Sequence, residues 1–455
     1  MNAYGVLEPT LNDILNGIQP SREDWVVRFK IIEELDKVVK SVESLRGATV
    51  EPFGSFVSNL FTRWGDLDIS IVLSNGSHIS SAGKKRKKNL LEDVLKALRQ
   101  KGEWHRLQFI PNARVPILKF ENARISCDVS IDNIQGLMKS KFLFWINEID
   151  RRFRDMVLLV KEWANAHNIN NPKNGSLNSY SLSLLVIFHF QTCVPAILPP
   201  LKEIYPRNVV DDLTGVRADA ERNIGEICAA NISRYRSNKF GAVNQSSLSE
   251  LFISFLAKCD YDAIMNLTRG IWIQFVEMSV IRFCDIASKT AEIEDPFEQP
   301  ENTARAVSAG NLMKISEAIQ TTYHRLVSRN QNQISLLDTL VRPKIARFIA
   351  GTPVGNSSYT AGHPVRTPVG NSSYHLTTRS QKSRSVYSPS QAQVQTLNTR
   401  QETHPNNSGM QRKGSHPSSS NNQRQKNHIN NLTKERHFPH HLSQGQPVWR
   451  PKSDQ

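Results

Sequence analysis

Between residues 66 and 73 the chain alternates in a period of two. Leu67, Ile69, Ile71 and Leu73 share one parity, while Asp66, Asp68 and Ser70 share the other. That pattern predicts a strand with one buried face. It recurs over 124–131, where Ile125, Cys127, Val129 and Ile131 are apolar and Asp128 falls on the polar parity. Residues 48–53, 103–110 and 114–120 predict three further strands, giving a mixed five-stranded sheet. Ahead of them, Trp25, Phe29, Ile32, Leu35, Val38, Val42 and Leu45 recur at helical spacing with Ser21 and Asp24 placed as a cap, which predicts a helix over 21–45. A short amphipathic turn is predicted over 56–61. A polar loop follows residue 73 and ends in Lys84-Lys85-Arg86-Lys87-Lys88, ahead of a helix over 89–101. From residue 135 the period changes to helical, most clearly over 151–169 and 179–191, and helices over 302–329 and 334–349 close the folded part. Met156, Leu159, Val160 and Trp163 are spaced as core positions, and His189, on an apolar helix, reads as a core histidine.

Beyond residue 350 the pattern stops. Thr-Pro-Val-Gly-Asn-Ser-Ser-Tyr at 352–359 is repeated at 367–374, and the rest is Ser, Asn, Gln, His and Pro with few aliphatics. Such a stretch cannot bury enough apolar surface to order itself, so a disordered tail is expected. It carries 13 Lys/Arg against 3 Asp/Glu, and +10 of the chain's net +15 lies there. A basic balance of that size favours a polyanionic partner, nucleic acid being the usual one. For the run at 84–88 the first reading is a solvated loop, with an RNA-backbone contact or a nuclear-import signal as the others. The five cysteines show no Cys-x-x-Cys or Cys/His ligand spacing and read as reduced core thiols. No secretory signal is apparent in the first residues. The most apolar stretch, 180–190, is too short to span a bilayer, so a soluble protein is expected.

The chemistry concentrates in residues 53–73. Side chains two apart on a strand project together, so Asp66 and Asp68 leave the same face. Two carboxylates that close raise each other's pKa unless a cation lies between them. A hard divalent ion with oxygen ligands, most naturally Mg²⁺, resolves the repulsion. Upstream, Gly54 lets the backbone approach a ligand. Ser55 and the amides of the turn after it suit phosphate oxygens. If the strand carrying Asp128 lies beside the first, three carboxylates share one face and can hold two metal ions for in-line attack on phosphorus, with Asp128 placed to help deprotonate the attacking hydroxyl.

Gly54-Ser55, a ten-residue gap, Asp66-x-Asp68 and then Asp128 in an apolar strand resemble the polymerase-β-type nucleotidyltransferases. Asp295-Pro296-Phe297-Glu298 followed by Asn302 resembles the nucleotide-recognition segment of poly(A) polymerases and terminal uridylyltransferases. Residues 44–73 and 178–215 are similar to the plant uridylyltransferases that tail small RNAs. The likeness covers about the first three-quarters of the chain. It implies an α/β palm over 47–134 and a mainly helical central domain over 135–349. An N-terminal helical segment, 1–46, would pack on the central domain, and the basic tail would occupy 350–455.

The resemblance also implies roles. Lys161 matches a lysine that contacts the triphosphate, and Ser179-Tyr180 match a pair that grips phosphate and stacks on the base; read without it, Lys161 is a surface lysine and Tyr180 a core aromatic. An ammonium suits a phosphate and an aromatic face suits a nucleobase. Where relatives carry an Asn-Thr pair at the sugar, this chain has Lys139-Ser140, leaving Ser140 as the candidate. Asp295 and Glu298 would hold the base edge or the loop. Where some uridylyltransferases carry a His that disfavours adenine, this chain has Glu301, an acceptor able to take the adenine amino group, so preference for UTP rests on overall likeness. Residues 260–290 lack the relatives' polar segment. The implied activity is template-independent addition of UMP to RNA 3′ ends with Mg²⁺, or Mn²⁺ in its place, small RNAs being marked for decay. The implied partners are RNA, UTP and small-RNA effector proteins, without a membrane, for a monomer of cytoplasm and nucleus. A poly(A) polymerase and a non-catalytic RNA-binding protein are the alternatives.

Overall fold

The computed structural model describes residues 5–73, 79, 83–237, 243–259, 281–285, 290–328 and 332–351. The chain divides into two units, Met1–Gly362 and His363–Gln455, and every described residue belongs to the first. The expected tail with its octapeptide repeat, and most of the segment 260–290, lie outside the described residues.

Period-two alternation becomes a five-stranded sheet of β1 (Thr49–Phe53), β2 (Leu67–Val72), β3 (His105–Ile110), β4 (Ile117–Asn122) and β5 (Ile125–Ile131), in the order β1-β2-β5-β4-β3. Only β2 and β5 pair in parallel; the other pairs are antiparallel. Leu67, Ile69, Ile71, Leu118, Phe120, Cys127, Val129 and Ile131 are all buried, and α2 (Arg22–Lys40) and α4 (Lys84–Lys101) pack over the sheet. The helix α2 starts where expected, because Ser21 and Asp24 close a reciprocal capping box. It ends at Lys40, short of the expected Leu45, and Glu43–Leu45 form a separate 3-10 turn.

The one-turn α3 (Gly54–Val57) follows β1, and α5 (Ile134–Asn147) follows β5 and packs against α3 and β1. The helical layer continues with α6 (Arg151–Ala166), α7 (Ser179–Gln191), the short α8 (Leu201–Ile204) and α9 (Val209–Asp212), α10 (Arg217–Ser237) and α11 (Leu248–Cys259). Strands β6 (Ile281–Asp285) and β7 (Thr290–Ile293) form a separate ribbon. The layer ends with α12 (Ala309–Val327), α13 (Gln333–Leu340) and α14 (Pro343–Ile349). Met156, Leu159, Val160 and Trp163 are buried as their spacing predicts. His189 is a core histidine: burial first, then Lys258, lowers its pKa to about 3, so it is neutral. No described helix is long and apolar enough to cross a membrane. Among the described residues Cys127, Cys193, Cys228 and Cys259 are free thiols.

Two expectations change. The N-terminal segment serves both layers: α1 (Leu7–Ile18) packs on α6, α11, α13 and α14, whereas α2 lies against the sheet and α4. The basic run at 84–88 is the first turn of α4 and not a loop. Positive charge at a helix N-terminus opposes the macrodipole. The turn is held by its buried continuation, Leu90, Leu91, Val94, Leu95 and Leu98, and by Lys87 Nζ donating to the Asp132 carbonyl at 3.2 Å. Lys84, Lys85 and Arg86 are exposed, as the solvated reading requires.

Candidate active site

Register places the three predicted carboxylates together. Asp68 on β2 pairs directly with Asp128 on the parallel β5, and paired residues of neighbouring strands share a face about 5 Å apart. Asp66 sits one residue before β2 begins. Its approach is fixed from below by Arg28 on α2, which is buried. This guanidinium donates to the carbonyls of Arg63 (3.3 Å) and Gly65 (2.6 Å) and lies 4.7 Å from the centre of the Phe61 ring. Sequence periodicity assigns Arg28 no role, since a lone arginine on a helix reads as a surface residue.

The electrostatics are those of a cluster only partly compensated by nearby lysines. Burial, then Asp128 and Asp66, raise the Asp68 carboxyl to about 7. Burial and then Asp128 raise Asp66 also. Opposite them Lys161 on α6 donates to the Leu60 carbonyl at 2.9 Å. Burial lowers its pKa to about 8, while Asp68 and Asp66 pull it back up. Lys161 is therefore a cleft lysine facing the carboxylates, and the surface-lysine reading is corrected.

Above this floor lies Gly54, whose φ of 69° is left-handed. A Cβ at this position would collide with the Asp68 carboxylate, lying 2.9 Å from its carboxyl carbon. Only glycine allows strand end and carboxylate to approach this closely. The Gly54 amide donates to Ser140 Oγ at 2.6 Å, and Ser140 Oγ donates to the Gly136 carbonyl at 2.6 Å. Ser140 is buried, so it braces the Gly54 turn, and its hydroxyl is not offered to a sugar. Ser55, by contrast, forms no side-chain hydrogen bond among the described residues, which leaves its hydroxyl available.

The recognition segment behaves differently. Asp295 is buried and accepts from Lys139 Nζ (2.5 Å), Tyr180 OH (3.1 Å) and the Phe297 amide (3.0 Å). Glu298 accepts from Lys139 Nζ (2.5 Å) and from Arg114 Nη2 (3.3 Å). Glu301 is held by Arg114 Nη1 (2.8 Å) and Arg305 Nη1 (2.7 Å), so it is an ion-paired side chain and no free acceptor. Asn302 knits the loop through the Ile293 and Ala304 amides and the Ala291 carbonyl. Tyr180 stands beside this network with Lys139 Nζ 5.5 Å from its ring centre. Ser179 opens α7 but exchanges hydrogen bonds with Asn170 at 3.1 and 3.3 Å. The structure thus gathers Gly54, Ser55, Asp66, Asp68, Asp128 and Lys161 at the floor, and Tyr180, Asp295, Glu298 and Glu301 at the recognition loop, with Ser140 and Ser179 as braces.

An all-oxygen donor set in which the Asp66 and Asp68 carboxyls are pushed up suits a hard divalent cation. Among the described residues no three ligating side chains already stand in metal-holding geometry. Asp128 is engaged instead by Lys119, which sequence periodicity does not single out. It lies directly opposite Asp128 across the β4–β5 ladder, its Nζ 2.5 and 2.6 Å from the two carboxylate oxygens. The available signal was its parity, since Leu118 and Phe120 are buried on the other face.

A family model described as "Poly(A) RNA polymerase, mitochondrial-like, central palm domain" matches residues 7–147. Protein HESO1 of Arabidopsis thaliana is 56% identical over 349 residues, which cover 73% of this chain and 66% of that relative. Poly(A) RNA polymerase GLD2 of Homo sapiens is 29% identical over 290 residues, covering 61% of this chain and 55% of that protein. This chain therefore spans less than two thirds of either curated relative. Among solved structures, the Cid1 poly(U) polymerase with Mg 3′-dATP bound superposes with a TM-score of 0.56 at 22% identity, over 74% of this chain and 99% of that one. A cytoplasmic RNA terminal U-transferase gives 0.53 at 21%, over 74% and 98%. These two structures support the fold.

Proposed function

We propose, from its likeness to terminal uridylyltransferases and related poly(A) polymerases, that this chain is a template-independent RNA nucleotidyltransferase that adds UMP from UTP to RNA 3′-hydroxyls and releases pyrophosphate. The observation that carries this reading is the in-register pair Asp68–Asp128 with Asp66 at its edge, a site where burial and the neighbouring carboxylates push the Asp68 carboxyl up to about 7. Asp66, Asp68 and Asp128 are the residues that would hold divalent ions. When bound, such ions, Mg²⁺ or Mn²⁺, supply charge stabilisation for the attacking hydroxyl and the departing pyrophosphate. Asp128 would take the proton of the incoming 3′-hydroxyl. Ser55 and Lys161 hold the triphosphate, and Tyr180 offers its face to the base.

Small RNAs tailed for decay are the substrate proposed, with small-RNA effector proteins as partners, a monomeric state, and cytoplasm and nucleus as the compartments. The matched poly(A) polymerases keep ATP as the second donor. Glu301, tied to Arg114 and Arg305, gives no local preference either way. Extension of a labelled single-stranded oligoribonucleotide with each of the four nucleotides separates the readings. UTP-selective tails support a uridylyltransferase and ATP-selective tails a poly(A) polymerase; no extension under Mg²⁺ or Mn²⁺ would leave only an RNA-binding role.

A further inference from the structure

The Lys119–Asp128 pair bears on how the proposed reaction is controlled. An ionised carboxylate offers about four lone-pair positions over its two oxygens, and the ammonium of Lys119 engages both oxygens at once. It also sits close enough to Asp66 and Asp68 to offset part of their mutual repulsion. Lys161, the other lysine of the floor, differs: its hydrogen bond goes to a backbone carbonyl, and among the described residues no ion pair ties it to a carboxylate. Both members of the Lys119–Asp128 pair are about one-fifth exposed, so the bond lies at the cleft surface and can be exchanged without unpacking the core.

We propose that Lys119 is a positioning residue, a tethered stand-in cation that holds Asp128 between turnovers and must be given up before Asp128 can ligate metal. On this account the free enzyme binds divalent cation weakly through an incomplete set, Asp66 and Asp68. The trio closes only when Asp128 trades Lys119 for a metal, which leaves a mobile ammonium in a cleft built for polyanions. The inference rests on the nucleotidyl-transfer reading above, because it needs the trio to be a metal site.

The test is direct Mn²⁺ binding to the full chain, without nucleotide or RNA, read by the electron paramagnetic resonance signal of free Mn²⁺. The relevant component is the one removed by Asp66→Asn with Asp68→Asn, which excludes binding by the eight histidines of residues 351–455. Lys119→Met is expected to tighten that component about tenfold, since one of two opposed cations is deleted at close range. Lys119→Arg is expected to stay near wild type. In an Asp128→Asn background the Lys119→Met effect is expected to vanish. Lys119→Gln gives the same comparison if the methionine variant melts early. Unchanged or weaker binding in Lys119→Met or Lys119→Gln would overturn the proposal while leaving the metal site standing. A wild-type chain with no component sensitive to Asp66 and Asp68 would overturn both.

Discussion

The two acidic clusters of this molecule are chemically alike and electrostatically opposite. On the sheet Lys119 pairs with Asp128 alone; Asp66 and Asp68, with no ion pair among the described residues, repel each other and Asp128, and burial adds to the cost of charging them. In the recognition loop every carboxylate has a cation: Asp295 and Glu298 share Lys139, and Glu298 and Glu301 share Arg114. A cluster that keeps two of its carboxylates unpaired implies a ligand that completes it. A cluster that is already paired is doing a structural job, here tying the loop to α5 and to the β3–β4 turn. The loop's acids therefore act on the site by placing Tyr180 and Lys139.

The largest test of that contrast deletes the uncompensated pair. Asp66→Ala with Asp68→Ala is expected to lower nucleotide incorporation by on the order of a thousandfold, with RNA binding by gel shift nearly unchanged; retained extension would refute the floor as the reactive centre. Next, Gly54→Ala forces a side chain into the Asp68 carboxylate at a left-handed φ. Activity should fall about a hundredfold, with a stability loss of roughly 1–3 kcal/mol in denaturant titration.

Breaking the paired cluster should look different. Lys139→Met leaves buried Asp295 without its ammonium, a cost of about 3 kcal/mol. The UTP KM is expected to rise about tenfold while kcat changes less, since the loop shifts and the carboxylate floor does not. Equal losses in both constants would place Lys139 in the chemistry.

A smaller, signed effect concerns pH. The Asp68 pKa is raised in the fold, so the folded chain keeps a proton that the unfolded chain has lost. That stabilisation is complete below the unfolded pKa near 4 and lost as pH rises through about 7. In chelator, melting temperature should fall between pH 5 and pH 8, and Asp68→Asn should flatten the slope and raise the value at pH 8 by roughly 3 °C. The smallest change is expected at Glu301, which is 39% exposed and rim-paired. Glu301→Ala should move stability by less than about 0.5 kcal/mol and leave the UTP-to-ATP incorporation ratio within about twofold; a Glu301→His variant that shifts the ratio strongly would show that the position does read the base.

By itself the sequence determined the elements and the floor. Period-two alternation gave β2 and β5, their polar parity gave Asp68 and Asp128, and Ser21 with Asp24 gave the start of α2, because strand parity and helix capping are local rules of the backbone. Gly54 was legible as a point of close backbone approach, but its left-handed φ against Asp68 was not. Pairing across the chain was decided only by the tertiary structure. Lys119 became visible once β4 lay next to β5. Arg28 acquired its role once α2 lay under the 62–65 turn, and Ser140 proved a brace for Gly54 once α5 met β1. Lys139, Arg114 and Arg305 neutralised the loop's acids from positions 156 or more, 184 or more and 4 residues away. A carboxylate's role depends on the nearest opposite charge, and that distance is set by packing between elements far apart in the chain.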